Sequence, residues 1–127
     1  MLTGIKITLD GLMEAVEIED GNHVSGIQNA IDARFYDVVS IRDGLDLFVD
    51  DEGVYTSRLN PVLTGIAQSF GYAGVLFGEG VFFAVNPAEG STHSLNTVQI
   101  ATLASRWVDA ASSRHTPVAA GLAFLAH

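Results

Sequence analysis

The chain has 127 residues, 48% hydrophobic and 17% charged, with fifteen acids against six bases for a net charge of −9. Such a chain is too apolar to stay disordered and long enough for one domain with its own core. With no cysteine it has no disulfide framework, thiol nucleophile or thiolate zinc site, and no apolar run reaches the roughly 18 residues of a membrane-spanning helix.

Ile5-Lys6-Ile7-Thr8-Leu9 alternates apolar and polar, as a half-buried strand does, and Asp10-Gly11 signals a turn. Ala15 to Glu19 can return as a second strand. Asn22 then caps a short helix with Val24, Ile27, Ala30 and Ile31 on one face. Phe35 to Ile41, a turn at Arg42-Asp43-Gly44, and Leu45 to Asp50 form the clearest hairpin. In its second strand Leu45, Leu47 and Val49 face the core, while Asp46, Phe48 and Asp50 face the other way. Asp51-Glu52-Gly53 ends that strand. Asn60-Pro61 opens a helix whose buried stripe is Val62, Leu63, Ile66, Ala67 and Phe70, with Gly71 as its stop. Val75–Phe77 and Val81–Val85 read as a further hairpin around Gly78-Glu79-Gly80. Asn96 and Gln99 then make a capping box before a helix carrying Ile100, Leu103, Ala104, Trp107, Val108 and Ala111.

The pattern predicts an α+β fold: antiparallel hairpins, about six strands, packed with three helices in a single layer of sheet with helices mainly on one face. Residues 1–127 form a single domain, and 116–127 are an apolar C-terminal extension. That extension must be buried against the core or another subunit. Leu122, Phe124 and Leu125 are therefore the candidate residues for self-association in a homo-oligomer. The first residues, Met1 to Lys6, lack the basic-then-apolar pattern of a secretory signal, so a cytoplasmic location is expected.

The charge is unevenly placed. Residues 1–52 carry twelve acids against the three bases Lys6, Arg34 and Arg42, whereas residues 53–127 are balanced. A negative field repels nucleic-acid phosphates and anionic membrane surfaces, so neither is an expected partner. Within the acidic half, Glu14, Glu17, Glu19, Asp20, Asp46 and Asp50 are the candidate surface for a basic protein partner.

Two stretches carry a resemblance. One is Phe35-Tyr36-Asp37-Val38-Val39 followed by Asp43-Gly44-Leu45-Asp46-Leu47-Phe48-Val49-Asp50-Asp51-Glu52-Gly53, with Asn60-Pro61 soon after. The other is Gly80-Val81-Phe82-Phe83-Ala84-Val85 followed by Glu89-Gly90 and Ser94-Leu95-Asn96. Over roughly residues 25–110 the chain resembles a family of small acidic domains of unknown function found in bacteriophages, other mobile elements and Gram-positive bacteria. It departs from them at Thr97-Val98, where acidic residues usually open the last helix, and in its apolar tail. The resemblance implies a phage or mobile-element setting and no catalytic residues. Asp43-Gly44 and Glu52-Gly53 also have a plain reading as turn chemistry, in which glycine reaches positive backbone angles cheaply.

No catalytic, metal or cofactor motif stands out. Acids at 43, 46, 50, 51 and 52 lack the alternating donor spacing of a calcium loop, and the four histidines occur singly. His93, beside Ser91, Thr92 and Ser94 before a helix start, could bind an anion there, although an ordinary hydrophilic cap is the favoured explanation. Two functions are expected. The first is a non-enzymatic, phage-type accessory protein that binds and blocks a host macromolecule in host takeover or counter-defence. The second is a binder or sponge for a small nucleotide-type signalling molecule, with Tyr36, Arg42, Phe48, Tyr55, Arg58 and His93 as ligand-binding candidates.

Overall fold

In the computed structural model, residues 1–112 are described. The apolar extension, with Leu122, Phe124 and Leu125, lies outside them. Strands β1 (Leu2–Ile7) and β2 (Met13–Ile18) form the first hairpin, and a single 3-10 turn at Asp20–Asn22 leads into α1 (His23–Ala30). The second hairpin is β3 (Tyr36–Ile41) with β4 (Leu45–Asp50), followed by the short α2 (Gly53–Thr56) and by α3 (Pro61–Ser69). Strand β5 (Gly80–Val85), the two-residue β6 (Thr92–His93) and α4 (Thr97–Ser112) complete the fold. All strand pairs are antiparallel in one open sheet ordered β2-β1-β5-β4-β3, with β6 beside β5. This is the α+β fold that the pattern predicts.

Alternation along the strands sorts the side chains into two faces. On one face Ile5, Ile7, Leu45, Leu47, Val49, Phe82 and Ala84 pack against Leu63, Ile66, Ala67 and Phe70 of the α3 region and Leu103 of α4. Gly80 allows the approach: a β-carbon there would lie 2.7 Å from Leu63 Cδ2 and 3.0 Å from Leu47 Cδ1. The opposite face holds a second core, in which Ile18, Phe48, Val81 and Phe83 are covered by Ile27 and Ile31 of the α1 region. Phe48 does face away from Leu47, as the alternation predicts, but it enters this second core and is buried. It stacks edge-on with Tyr36 at 5.3 Å and Phe83 at 6.1 Å. The two longer-packed helices thus share one face, and α1 alone covers the other.

Local chemistry explains most of the boundaries. The reciprocal capping box at α4 is present: Gln99 N donates to Asn96 Oδ1 at 2.8 Å, and Asn96 N donates to Gln99 Oε1 at 3.0 Å. The Gln99 amide also donates to the Asp43 and Gly44 carbonyls at 3.3 Å, tying the β3–β4 turn to the start of α4. Asp43 and Gly44 have φ of 65° and 72°, so turn geometry accounts for that pair. Gly53 differs. It lies in α2, where a β-carbon would sit 2.9 Å from the Phe77 carbonyl oxygen, so close packing and not a turn angle requires it.

One expected strand is absent. Val75–Phe77 makes only an isolated bridge, Leu59 with Phe77, and there is no hairpin around Gly78-Glu79-Gly80. Its backbone is used elsewhere. Leu76 N donates to Thr64 Oγ1 at 2.8 Å, and Leu76 O accepts from Asn60 N at 2.9 Å. These bonds belong to a buried polar knot at the start of α3. The Asn60 side-chain amide donates to Thr8 O and Gly78 O at 3.0 Å each, and its oxygen accepts from Leu63 N at 3.1 Å. Asn60 and Thr64 are both fully buried, and among the described residues no buried side-chain polar atom lacks a partner. Replacing Asn60 by alanine removes a cap, leaves Gly78 O without a donor and leaves Thr8 O only its bond from Gly11 N, so Asn60→Ala should lower stability by about 3 kcal/mol in denaturant unfolding. Asn60→Asp, which keeps the cap but loses both amide donors, should not restore it.

Candidate functional site: the acidic edge of the sheet

The six candidate acids do not form one patch. Glu14 and Glu17 lie on β2, an outermost strand, and Glu19 and Asp20 follow directly in the turn to α1; all four are exposed. Asp46 and Asp50 lie on β4, three strand spacings away, or about 14 Å across the sheet. Asp46 is half-buried beside Phe83, its register partner on β5. Asp50 serves a local turn: its carboxylate accepts from Glu52 N at 2.9 Å and Thr56 Oγ1 at 3.5 Å. Near it, the neighbouring Asp37 carboxyl raises the pKa of Asp51, and Arg34 clasps both oxygens of Glu52 at 3.1 Å.

The acidic edge of β2 adjoins a groove of about 600 Å³ between the strand and α1. Val16, Glu17, Ile18 and Glu19 form one side, and Ser25, Gly26, Asn29 and Ala30 form the other. The Met1 ammonium closes one end, 2.8 Å from Asp20 Oδ1. The hydrogen bond to Asp20 raises the pKa of that amine, with Glu17 and Glu19 adding to the effect. This edge therefore already holds a cation. Glycine is a poor helix former, so Gly26 by itself does not mark a groove wall in the sequence. Its spacing of four from Ala30, which puts two small residues on one face, was the available signal.

The six ligand-binding candidates do not converge. Tyr36 and Phe48 stack within the second core, and buried Phe48 has no free ring face to offer. Tyr55 projects from α2 with 88% of its surface exposed. Arg58 pairs with Asp10 at 3.2 Å. His93 lies on β6, its Nε2 2.9 Å from Ser91 Oγ, while Ser91 Oγ donates to Glu89 Oε2 at 3.3 Å. The hydroxyl of Ser94 accepts from Thr3 N, and the capping box uses the Asn96 and Gln99 amides, which leaves His93 in a hydrophilic cap.

Arg42 stands apart. Lys6, Arg34, Arg58 and Arg106 each have a partner: Glu79, Glu52, Asp10 and the Ser69 carbonyl. Arg42 has none among the described residues. It borders a mainly apolar groove of about 640 Å³ with Ile41, Phe70 and Tyr72. Tyr72 was not among the ligand-binding candidates, because only the fold brings the end of α3 beside β3. Among the described residues, no three carboxylates or histidines gather closely enough to hold a metal ion.

Burial raises the pKa of Asp46 above the ordinary carboxylate value. The fold therefore favours its protonated form. The stability this gives is present at low pH and is lost as pH rises from the ordinary carboxylate value through the raised one. Asp46→Asn should consequently be more stable relative to the wild type at pH 7 than at pH 3, as thermal unfolding across that range will show.

Searches among curated proteins and among solved structures found no match. A family match covers residues 2–108, from β1 through most of α4, and stops before the apolar extension. The chain belongs to the family described as a domain of unknown function, DUF3846.

Proposed function

We propose that the protein is a non-enzymatic binding module whose acidic β2 edge engages a basic protein and blocks it. The observation that carries this reading is the coincidence of four exposed acids, a strand edge unpaired among the described residues and a groove on one side of the molecule. Opposite potentials speed association and align partners, and such an edge offers a cationic surface both charge and shape. The phage-type setting, with a host protein as the target in host takeover or counter-defence, rests on the sequence resemblance. Glu14, Glu17, Glu19 and Asp20 are the contact residues of this proposal. Asp46 and Asp50 drop out of it because they lie across the sheet. The test is a fourfold variant, Glu14→Gln, Glu17→Gln, Glu19→Gln and Asp20→Asn, beside an Asp46→Asn control, in affinity capture from host lysate at low and high salt. Partners should be lost from the fourfold variant and from the wild type at high salt, and kept by the control. An unchanged set of captured proteins would refute the acidic surface as the contact.

The second reading, a binder or sponge for a nucleotide-type signal, draws on Arg42. Its guanidinium without a partner beside Tyr72 pairs an anion-binding group with a ring for stacking. A tight ligand at saturation adds several kcal/mol to stability. Screening nucleotides and cyclic nucleotides by thermal shift should therefore find one that raises the melting temperature of the wild type and not of Arg42→Gln. No shift with any nucleotide would remove this reading.

A further inference from the structure

The inner side of β2 is paired with β1 over all six residues, from Met13 opposite Ile7 to Ile18 opposite Leu2. In an antiparallel strand alternate residues direct their N–H and C=O groups to the other side. On β2 that outer side meets no strand among the described residues. Such a row is a template for another strand.

The adjoining groove gives this template a shape. Glu14, Val16 and Ile18 share the face on which α1 packs, while Met13, Ala15 and Glu17 share the opposite face. On the helix side the wall is built from Ser25, Gly26, Asn29 and Ala30, whose side chains are short. A β-carbon on Gly26 would lie 2.7 Å from Ile18 Cβ, so glycine lets α1 press against the strand without filling the space over its outer edge. A strand laid along β2 would direct every second side chain into this groove, onto Val16, Ile18 and Ala30. The others would lie over the opposite face.

Charge selects the occupant. Glu14 stands on the groove face opposite Lys6, which pairs with Glu79, while Glu17 is on the opposite face and Glu19 and Asp20 at the end of the strand, and the segment Leu12–Gly21 itself holds no basic side chain. A second copy of this chain would bring the same carboxylates to the same seam, and like charges oppose it. A basic strand is attracted to Glu17 on the opposite face and, through basic residues around its ends, to Glu14, Glu19 and Asp20. The acids that guard the edge against self-pairing thus also choose its partner.

We propose that β2 accepts an extended segment of a partner protein as an added strand, with aliphatic side chains alternating into the α1 groove and lysine or arginine between and around them. The proposal rests on the acidic-edge reading above and gives it a binding mode.

The experiment uses the full chain, isotopically labelled, and the acetylated, amidated peptide Lys-Val-Lys-Val-Lys-Val-Lys at low salt. Binding should slow hydrogen exchange of alternate amides in Met13–Ile18 at least tenfold and shift resonances of β2 and α1. The same peptide with methylated backbone amides should bind at least tenfold more weakly. So should the analogue with glutamate in place of lysine. Asn29→Tyr, an exposed substitution that fills the groove, should cost the unmethylated peptide at least tenfold in affinity while leaving core exchange unchanged. If both peptides bind equally and β2 exchange is unaffected, strand addition is wrong, although attraction to the acidic edge survives. If the lysine peptide does not bind at all, both proposals fall.

Discussion

The side chain of Asn60 holds together three segments that are far apart in sequence. Its amide reaches the carbonyls of Thr8, just beyond β1, and Gly78, just before β5, while its oxygen caps α3 at Leu63. Thr64, one turn further on, accepts from Leu76 N and donates to Asn60 O at 2.8 Å. Every polar group in this knot is buried and paired, which makes it costly to break and specific about what it joins. It fixes where α3 enters the sheet, and the close approach at Gly80 then sets how α3 lies against β4 and β5. It also explains why the strand-like sequence Val75–Phe77 stays out of the sheet.

The sheet is buried on both faces by unequal means. The face under α3 and α4 carries the larger core, and the other is sealed by α1 through Ile27 and Ile31. One short helix cannot cover a five-strand width. It lies toward β2, leaving the groove on that side, while Asp46 and Ser40 remain part of the barely covered end near β3 and β4. The interaction surface proposed here is thus a by-product of how little helix this face has. The same fact explains why a carboxylate on β4 can be half-buried without a cationic partner.

The family to which the chain belongs has no assigned function. Among the described residues most basic side chains are committed to local pairs, whereas of the four acids from Glu14 to Asp20 one, Asp20, forms an ion pair, with the Met1 ammonium.

Local chemistry made much of this fold legible. The alternation of Leu45–Asp50, the Asp43-Gly44 turn, the Asn60-Pro61 cap and the Asn96/Gln99 box each depend on neighbours within a few residues, so they appear in the sequence and recur in the structure. The family-like core of residues 35–53 and 80–96 was legible for the same reason. Tertiary structure decided what depends on distant partners. Phe48 belongs to a core only because α1 folds back over that face, and Val75–Phe77 is no strand because Thr64 and Asn60 take its hydrogen bonds. The acidic surface shows the same division. The sequence by itself determined that the first half is negative. Strand order alone decided that Glu14, Glu17, Glu19 and Asp20 line one edge while Asp46 and Asp50 stand apart, because charges in one stretch of chain are neighbours only if the sheet places their strands side by side.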